Sequence, residues 1–172
     1  MSKRARQYLG IIAAIIIYYV IHEGAHFLTA LIMGTFKQIN FMGIGVQIDV
    51  FADRMTDFQM GIFCLAGALA SLLTAYILLI LRKKICAAKS PVFRCVMYYV
   101  TIIMLLLDPV YLSILCGFFG GGDMNGISLL IPEAAARIIF GVLLIVNAFV
   151  FIKVILPDYT ASFKENGNTD EA

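Results

Sequence analysis

Charge is scarce in this chain. Of its 172 residues only 14% are Asp, Glu, Lys or Arg, against 62% hydrophobic, and the mean hydropathy is +0.94. That excludes an ordinary soluble domain, which is about 45–50% apolar, and marks an integral membrane protein. Cysteines are few and not paired in sequence. None of Cys64, Cys86, Cys95 and Cys116 belongs to a C-x-x-C pair, which argues against a thiolate zinc centre or a disulfide framework and leaves them as small core residues. Cys86 and Cys95, beside a basic loop, carry only a weak palmitoylation signal. Histidine is scarcer still, with two in the chain, so no metal site here can be built from three histidines. There is no internal repeat and no second domain.

Apolar sequence, by contrast, comes in membrane-length runs. Four stretches, about Tyr8–Met33, Phe58–Leu81, Val92–Phe118 and Ala134–Leu156, can each cross a bilayer, which takes roughly 20 helical residues. Positive charge is uneven around them. Lys3, Arg4 and Arg6 precede the first; Arg82, Lys83, Lys84, Lys89 and Arg94 lie between the second and third; Lys153 and Lys164 end the fourth. These are ten of the thirteen Lys and Arg residues, and Lys37, Arg54 and Arg137 fall on the other side. Cytoplasmic loops carry the excess of Lys and Arg. The expectation is therefore a multi-pass protein of the cell membrane, with four spans and both termini in the cytoplasm. The first span follows a basic start, as a secretory signal does, but it is too long and has charge in its apolar run, so it reads as retained. Arg82–Arg94 reads as a topology-setting loop against anionic lipid head groups, with no nucleic-acid partner needed.

Both histidines fall in one motif, His22-Glu23-Gly24-Ala25-His26, inside the first apolar run. Residues four apart share a helix face, so both imidazoles can reach one metal ion, and the intervening Glu can act on water there. Ionisable side chains at membrane depth are costly and mark function. Counting from Tyr8, His22 lies roughly 21 Å along a helix, beyond mid-membrane toward the outer side. Gly24 and Ala25 let another backbone or a substrate come close, and Gly34 is a plausible helix stop.

A catalytic zinc site has three protein ligands and an open position. With histidine exhausted, the third must be a carboxylate. Outside the motif, Asp108 and Asp123 are the acids deep in apolar surroundings, whereas Asp49, Asp53 and Asp57 read as solvated and Glu133 as a helix start. Asp123 is favoured. It lies at the outer end of the third span, on the side to which the histidines are displaced, in a glycine-rich stretch, Gly117–Gly126, that lets the backbone bend inward. Asp108 remains as an alternative ligand, or as an acid that pairs beside the kink expected at Pro109. Zinc would polarise a scissile carbonyl, and Glu23 would shuttle the proton from water to the leaving amine. Asn125 and Asn40 are candidate oxyanion donors, with the choice open. In Phe36–Phe51 the period changes to alternation, which reads as two short strands turning at Met42-Gly43; this is either a surface hairpin or an edge that pairs with an extended substrate. Small residues Gly67-Ala68-Leu69-Ala70-Ser71 suggest close helix packing in the second span, and Asn147 in the fourth should bond to a neighbouring helix.

The motif within a membrane span, the Gly43 and Gly45 strand stretch after it, Ala66-Gly67-Ala68 in the next span, and Asp108-Pro109 before Gly122-Asp123-Met124-Asn125-Gly126 together resemble the site-2 protease family of intramembrane zinc metalloproteases. The similarity covers roughly residues 18–130, and its specific part is the H-E-x-x-H. It implies that His22, His26 and Asp123 bind zinc, that Glu23 is catalytic, and that the substrates are membrane-embedded segments of other proteins. The chain departs from the family pattern where Asp108 replaces an Asn, where Ala68 rather than Pro follows Gly67, and where Met124-Asn125-Gly126 follows Asp123.

These readings predict an all-α multi-pass membrane protein of about four transmembrane helices with a short membrane-associated β-hairpin after the first. Residues 1–157 would form the metalloprotease core and residues 158–172 a polar, disordered cytoplasmic tail. The expected activity is that of a zinc-dependent intramembrane endopeptidase with one Zn2+ per chain, acting on peptide bonds in or near transmembrane segments in the lipid bilayer. The rivals are a metal-binding transporter or sensor without proteolysis, and an inert relative that binds membrane segments.

Overall fold

The computed structural model describes residues 1–42 and 45–165. Its elements are α1 (Lys3–Ile32), β1 (Phe36–Met42), β2 (Gly45–Val50), α2 (Asp57–Cys86), α3 (Pro91–Val110), α4 (Asp123–Ile127), α5 (Glu133–Val150) and α6 (Leu156–Glu165). A π turn at Tyr111–Leu115 and a 3-10 turn at Cys116–Phe118 carry α3 onward, and a second π turn, Phe151–Ile155, joins α5 to α6. The result is four helical rods long and apolar enough to cross a membrane: Lys3–Ile32, Asp57–Cys86, Pro91–Phe118 and Glu133–Lys164.

The rods outrun the apolar stretches. Helix α1 begins at Lys3, where Ser2 Oγ accepts from the Ala5 N–H at 3.2 Å, and α2 runs through the basic residues to Cys86. The expected basic loop, Arg82–Arg94, shrinks to residues 87–90. Hydropathy reports what surrounds a helix; capping and hydrogen bonding decide where it stops. Helix α1 does stop at the glycine the sequence suggested. Gly34 has φ +67°, Thr35 N–H donates to Ala30 O at 2.9 Å and Gly34 N–H to Leu31 O at 3.1 Å, the paired bonds of a left-handed helix end. Thr56 and Gln59 then close a reciprocal cap at the start of α2.

Small residues let the rods approach. Ala14, Ala30, Ala68 and Ala75 are fully buried. Two apolar clusters result: one around Phe63, Leu72, Leu112 and Phe140, the other around Ala14, Leu78, Met104 and Ile155. The outer faces stay apolar as well, with Val20 66%, Ile80 76% and Ile145 71% exposed. So extensive an exposed hydrocarbon surface is unsuited to water and fits a membrane protein.

Pro109 sits inside α3. It has no N–H, so the carbonyl one turn back, on Leu105, loses its intrahelical donor. Asn147 of α5 supplies one: its Nδ2 donates to Leu105 O at 2.9 Å, while its Oδ1 accepts from Tyr76 OH at 3.1 Å. The freed carbonyl and the interhelical asparagine are thus two halves of one contact.

Strands β1 and β2 pair antiparallel, with Ile39 opposite Ile48 and Phe41 opposite Val46. Gly43, in the turn expected at Met42-Gly43, lies outside the described residues. The tail differs from expectation. Residues 158–165 belong to α6 instead of a disordered segment, and residues 166–172 lie outside the described residues. Its polar composition concealed Tyr159 and Phe163, one helical turn apart. Tyr159 is 1% exposed, its ring centroid is 5.1 Å from that of Tyr98, and Arg82 Nε pairs with Asp158 Oδ2 at 2.8 Å. The core therefore extends past residue 157.

Asn147→Ala should destabilise the bundle by about 1–2 kcal/mol, because it strands a buried carbonyl. Adding Pro109→Ala should recover part of that loss by returning an N–H to α3. Equilibrium unfolding in mixed micelles checks both; equal stability of the single and double variants would rule out the carbonyl as the cause.

Candidate metal centre

Helix α1 turns the motif inward. His22 is 8% exposed and His26 4%, and their Nε2 atoms lie 3.2 Å apart. Asp123, at the start of α4, brings Oδ2 to 3.3 Å from His22 Nε2 and 3.5 Å from His26 Nε2. It gets there because three successive glycines, Gly120, Gly121 and Gly122, adopt positive φ values of 78°, 87° and 47°, which turn the chain back after the third rod. Among the described residues, these three side chains form a group that could hold a metal ion.

Each imidazole is oriented through its other nitrogen. His26 Nδ1 is 2.7 Å from the Phe63 carbonyl. A carbonyl only accepts, so Nδ1 carries the proton and Nε2 keeps its lone pair. Around His22 Nδ1 stand Tyr18 OH at 3.2 Å, Asp108 Oδ1 at 3.3 Å and Ser71 Oγ at 3.4 Å. The Tyr18 hydroxyl gives its proton to Asp108 Oδ1 at 2.5 Å, and Ser71 gives its own to Gly67 O at 3.0 Å. All three oxygens are left as acceptors, so His22 Nδ1 is the donor and its Nε2 is also free. Histidine ligands are commonly held in this way. Two lone pairs and a carboxylate oxygen then converge on one volume, an arrangement that a cation stabilises.

The dimensions fit one. Zinc bonds to nitrogen and oxygen of about 2.0–2.2 Å in a tetrahedron give ligand-to-ligand edges of about 3.3–3.5 Å; the observed edges are 3.2, 3.3 and 3.5 Å. Gly67 of α2 makes room. A Cβ there would lie 2.5 Å from His26 Nε2 and 2.6 Å from His22 Nε2, in contact with both nitrogens that face the site.

The group opens on a cavity of about 750 Å3. Tyr18, Tyr19 and Glu23 line it from α1, Gln47–Val50 from β2, and Phe119, Gly120 and Gly122 from the loop before α4. Glu23 therefore stands beside the ligands, with its carboxylate facing the backbone N–H of Ile48. At the rim, Lys37 Nζ meets Asp49 Oδ2 at 3.0 Å, and that hydrogen bond holds the half-buried Asp49 carboxyl below its ordinary pKa.

Of the sequence candidates, His22, His26 and Asp123 come together, and Glu23 adjoins them. Asp108 is buried at the opposite ring nitrogen of His22 from Asp123, where it orients the imidazole and stands outside the ligand triangle. Asn125 lines the cavity, with its Nδ2 donating to Gly120 O at 3.1 Å, so it braces the glycine loop. Asn40 is on β1, where its Oδ1 accepts from Gln38 Nε2 at 2.7 Å, and it is not among the cavity's lining residues. The sequence reading missed Tyr18 and Ser71. Tyr18 lies one turn before His22, so a Tyr-His-His ladder at spacing four was there to be read; Ser71 lies one turn after Gly67.

Asp123→Ala should abolish tight metal binding, and Asp108→Ala should weaken it by about 10–100-fold. Gly67→Ala should also prevent loading, by filling the site. Metal titration of the purified variants measures all three, and metal lost with Asp108→Ala yet retained with Asp123→Ala would reverse the two roles. Compared with known proteins, the chain matches no family model, no curated protein and no solved structure, so the chemistry rests on the residues themselves.

Proposed function

We propose that this chain is a zinc-dependent intramembrane endopeptidase, similar to site-2 proteases, that hydrolyses peptide bonds in or near transmembrane segments of other proteins. The observation that carries this reading is the convergence of His22 Nε2, His26 Nε2 and Asp123 Oδ2 at zinc-ligand spacing, with Glu23 beside them on a shared cavity. Zinc held by these three groups supplies Lewis acidity toward a carbonyl oxygen and toward water.

The chain's own residues do the rest. Glu23 takes a proton from the attacking water on its carboxylate and delivers it to the amide nitrogen that leaves. Phe63 O, Asp108, Tyr18 and Ser71 keep both imidazoles in the tautomer that offers Nε2. Both imidazoles are buried between the rods, where charge interactions are stronger than in water. A peptide bond inside a substrate helix is shielded by its own turns, so the substrate must be extended locally. The Gln47–Val50 stretch of β2 lines the cavity and belongs to a two-stranded sheet in which, among the described residues, β2 pairs only with β1, which favours pairing of its outer edge with an extended segment. The bias of Lys and Arg supports a cell-membrane protein with both termini in the cytoplasm.

Glu23→Gln is expected to reduce cleavage of a membrane-embedded substrate by about 100-fold or more while one zinc per chain stays bound. Stripping the metal with a chelator should abolish cleavage, and zinc should restore it. The measurement is cleavage by purified protein in liposomes, alongside metal analysis. A Gln variant that cuts at the wild-type rate would refute the mechanism, and zinc binding without cleavage by the wild type would favour the transporter or sensor reading.

A further inference from the structure

A second, smaller pocket of about 230 Å3 adjoins the cavity at Glu23. Val20, Gly24 and Phe27 line it from α1, and Ile39, Val46 and Ile48 line it from the hairpin. Ile39 and Ile48 are cross-strand partners, so both strands contribute to one wall. Tyr19, Glu23 and Ile48 line both spaces, so the pocket and the cavity adjoin at these three residues.

Two glycines border this region for different reasons. Gly67 is forced by close approach, since a Cβ there would meet both imidazoles. Gly24 is not: a Cβ at Gly24 would meet nothing within 4 Å. A glycine inside a helix costs stability relative to alanine, and here no packing contact requires it. What its missing side chain leaves open is the α1 wall of the pocket.

Resting on the hydrolase reading above, we propose that this pocket receives the apolar side chain of the substrate residue beside the scissile bond, and that Gly24 sets how large that side chain can be. The walls other than Glu23 and Tyr19 are hydrocarbon, which suits the residues that populate membrane segments. Glu23, the one acidic residue of the pocket's lining, also lines the cavity. That pattern fits an apolar side chain attached to a peptide bond, whose polar backbone stays at Glu23. It fits a lipid chain poorly, because a lipid would bring only hydrocarbon to the carboxylate.

The test uses full-length protein in liposomes and a set of substrates that differ by Ala, Leu or Phe at one position, scanned on each side of the cut. Wild type should prefer Leu or Phe over Ala at one flanking position. Gly24→Leu should lower that kcat/KM ratio by about tenfold or more, the scale on which a hydrophobic pocket discriminates, with Gly24→Ala falling between. Ile39→Ala, which enlarges the hairpin wall, should shift preference toward Phe. Ratios within one preparation are insensitive to partial misfolding, and zinc content reports whether each variant keeps its site. An unchanged ratio in Gly24→Leu, with cleavage intact, would overturn this subsite and leave the hydrolase standing. A changed dependence on lipid chain length with an unchanged ratio would assign the pocket to lipid. Failure of the wild type to cut any substrate would remove the hydrolase reading and this inference with it.

Discussion

A polar group enclosed by hydrocarbon has no water to fall back on, so every donor and acceptor must be answered from within the bundle. Much of this structure is arranged around that constraint. His22 and His26 lie between two apolar clusters, and each can offer a lone pair to a shared point only because its other nitrogen is bound elsewhere. The binders come from different rods: the Phe63 carbonyl and Ser71 from α2, Asp108 from α3, Tyr18 from α1 itself. Rod packing and imidazole orientation are therefore one problem. A shift of either neighbouring rod would leave a ring nitrogen unanswered, at a cost of about 1–3 kcal/mol for each stranded polar group.

The same constraint explains why backbone irregularity gathers near the site. Helical hydrogen bonding is regular along α1 and α2, which carry no break. It is interrupted at Pro109, in the π turn beyond it and in the glycine run, all between Asp108 and Asp123. That stretch has to bring one carboxylate to Nδ1 of His22 and the other to Nε2, on opposite sides of a single ring. A straight helix cannot place residues fifteen apart in that way. The turn back supplies the geometry, and Asn147 answers the carbonyl that the irregularity exposes.

Much of this could be read from sequence because it depends on short-range periodicity. The H-E-x-x-H spacing fixes two ligands on one helix face whatever surrounds them. The apolar runs mark four rods, and alternation in Phe36–Phe51 marks the strands. What escaped depends on contacts between distant segments. The sequence favours Asp123 over Asp108 without fixing the choice, because that turns on the path of the Gly117–Gly126 backbone, and glycine permits many paths. Ser71 looks like one more small packing residue until His22 is set against it. Helix α6 was hidden for another reason: its average composition is polar, and two aromatic rings on one face outweigh that average once Tyr98 is there to receive them.

The ligand triangle joins residues far apart in the chain. Asp123 follows His22 by 101 positions, and Ser71 and Asp108 are made in between. During synthesis the first rod must therefore enter its surroundings with Tyr18 as the one orienting partner of its own, before the groups on the later rods exist. A cation that needs all three side chains can be captured only after the third rod is complete and its glycine turn has folded back. Loading of this candidate centre would thus come late in biogenesis, and a nascent chain stalled before residue 123 would carry the recognisable motif without its third side chain.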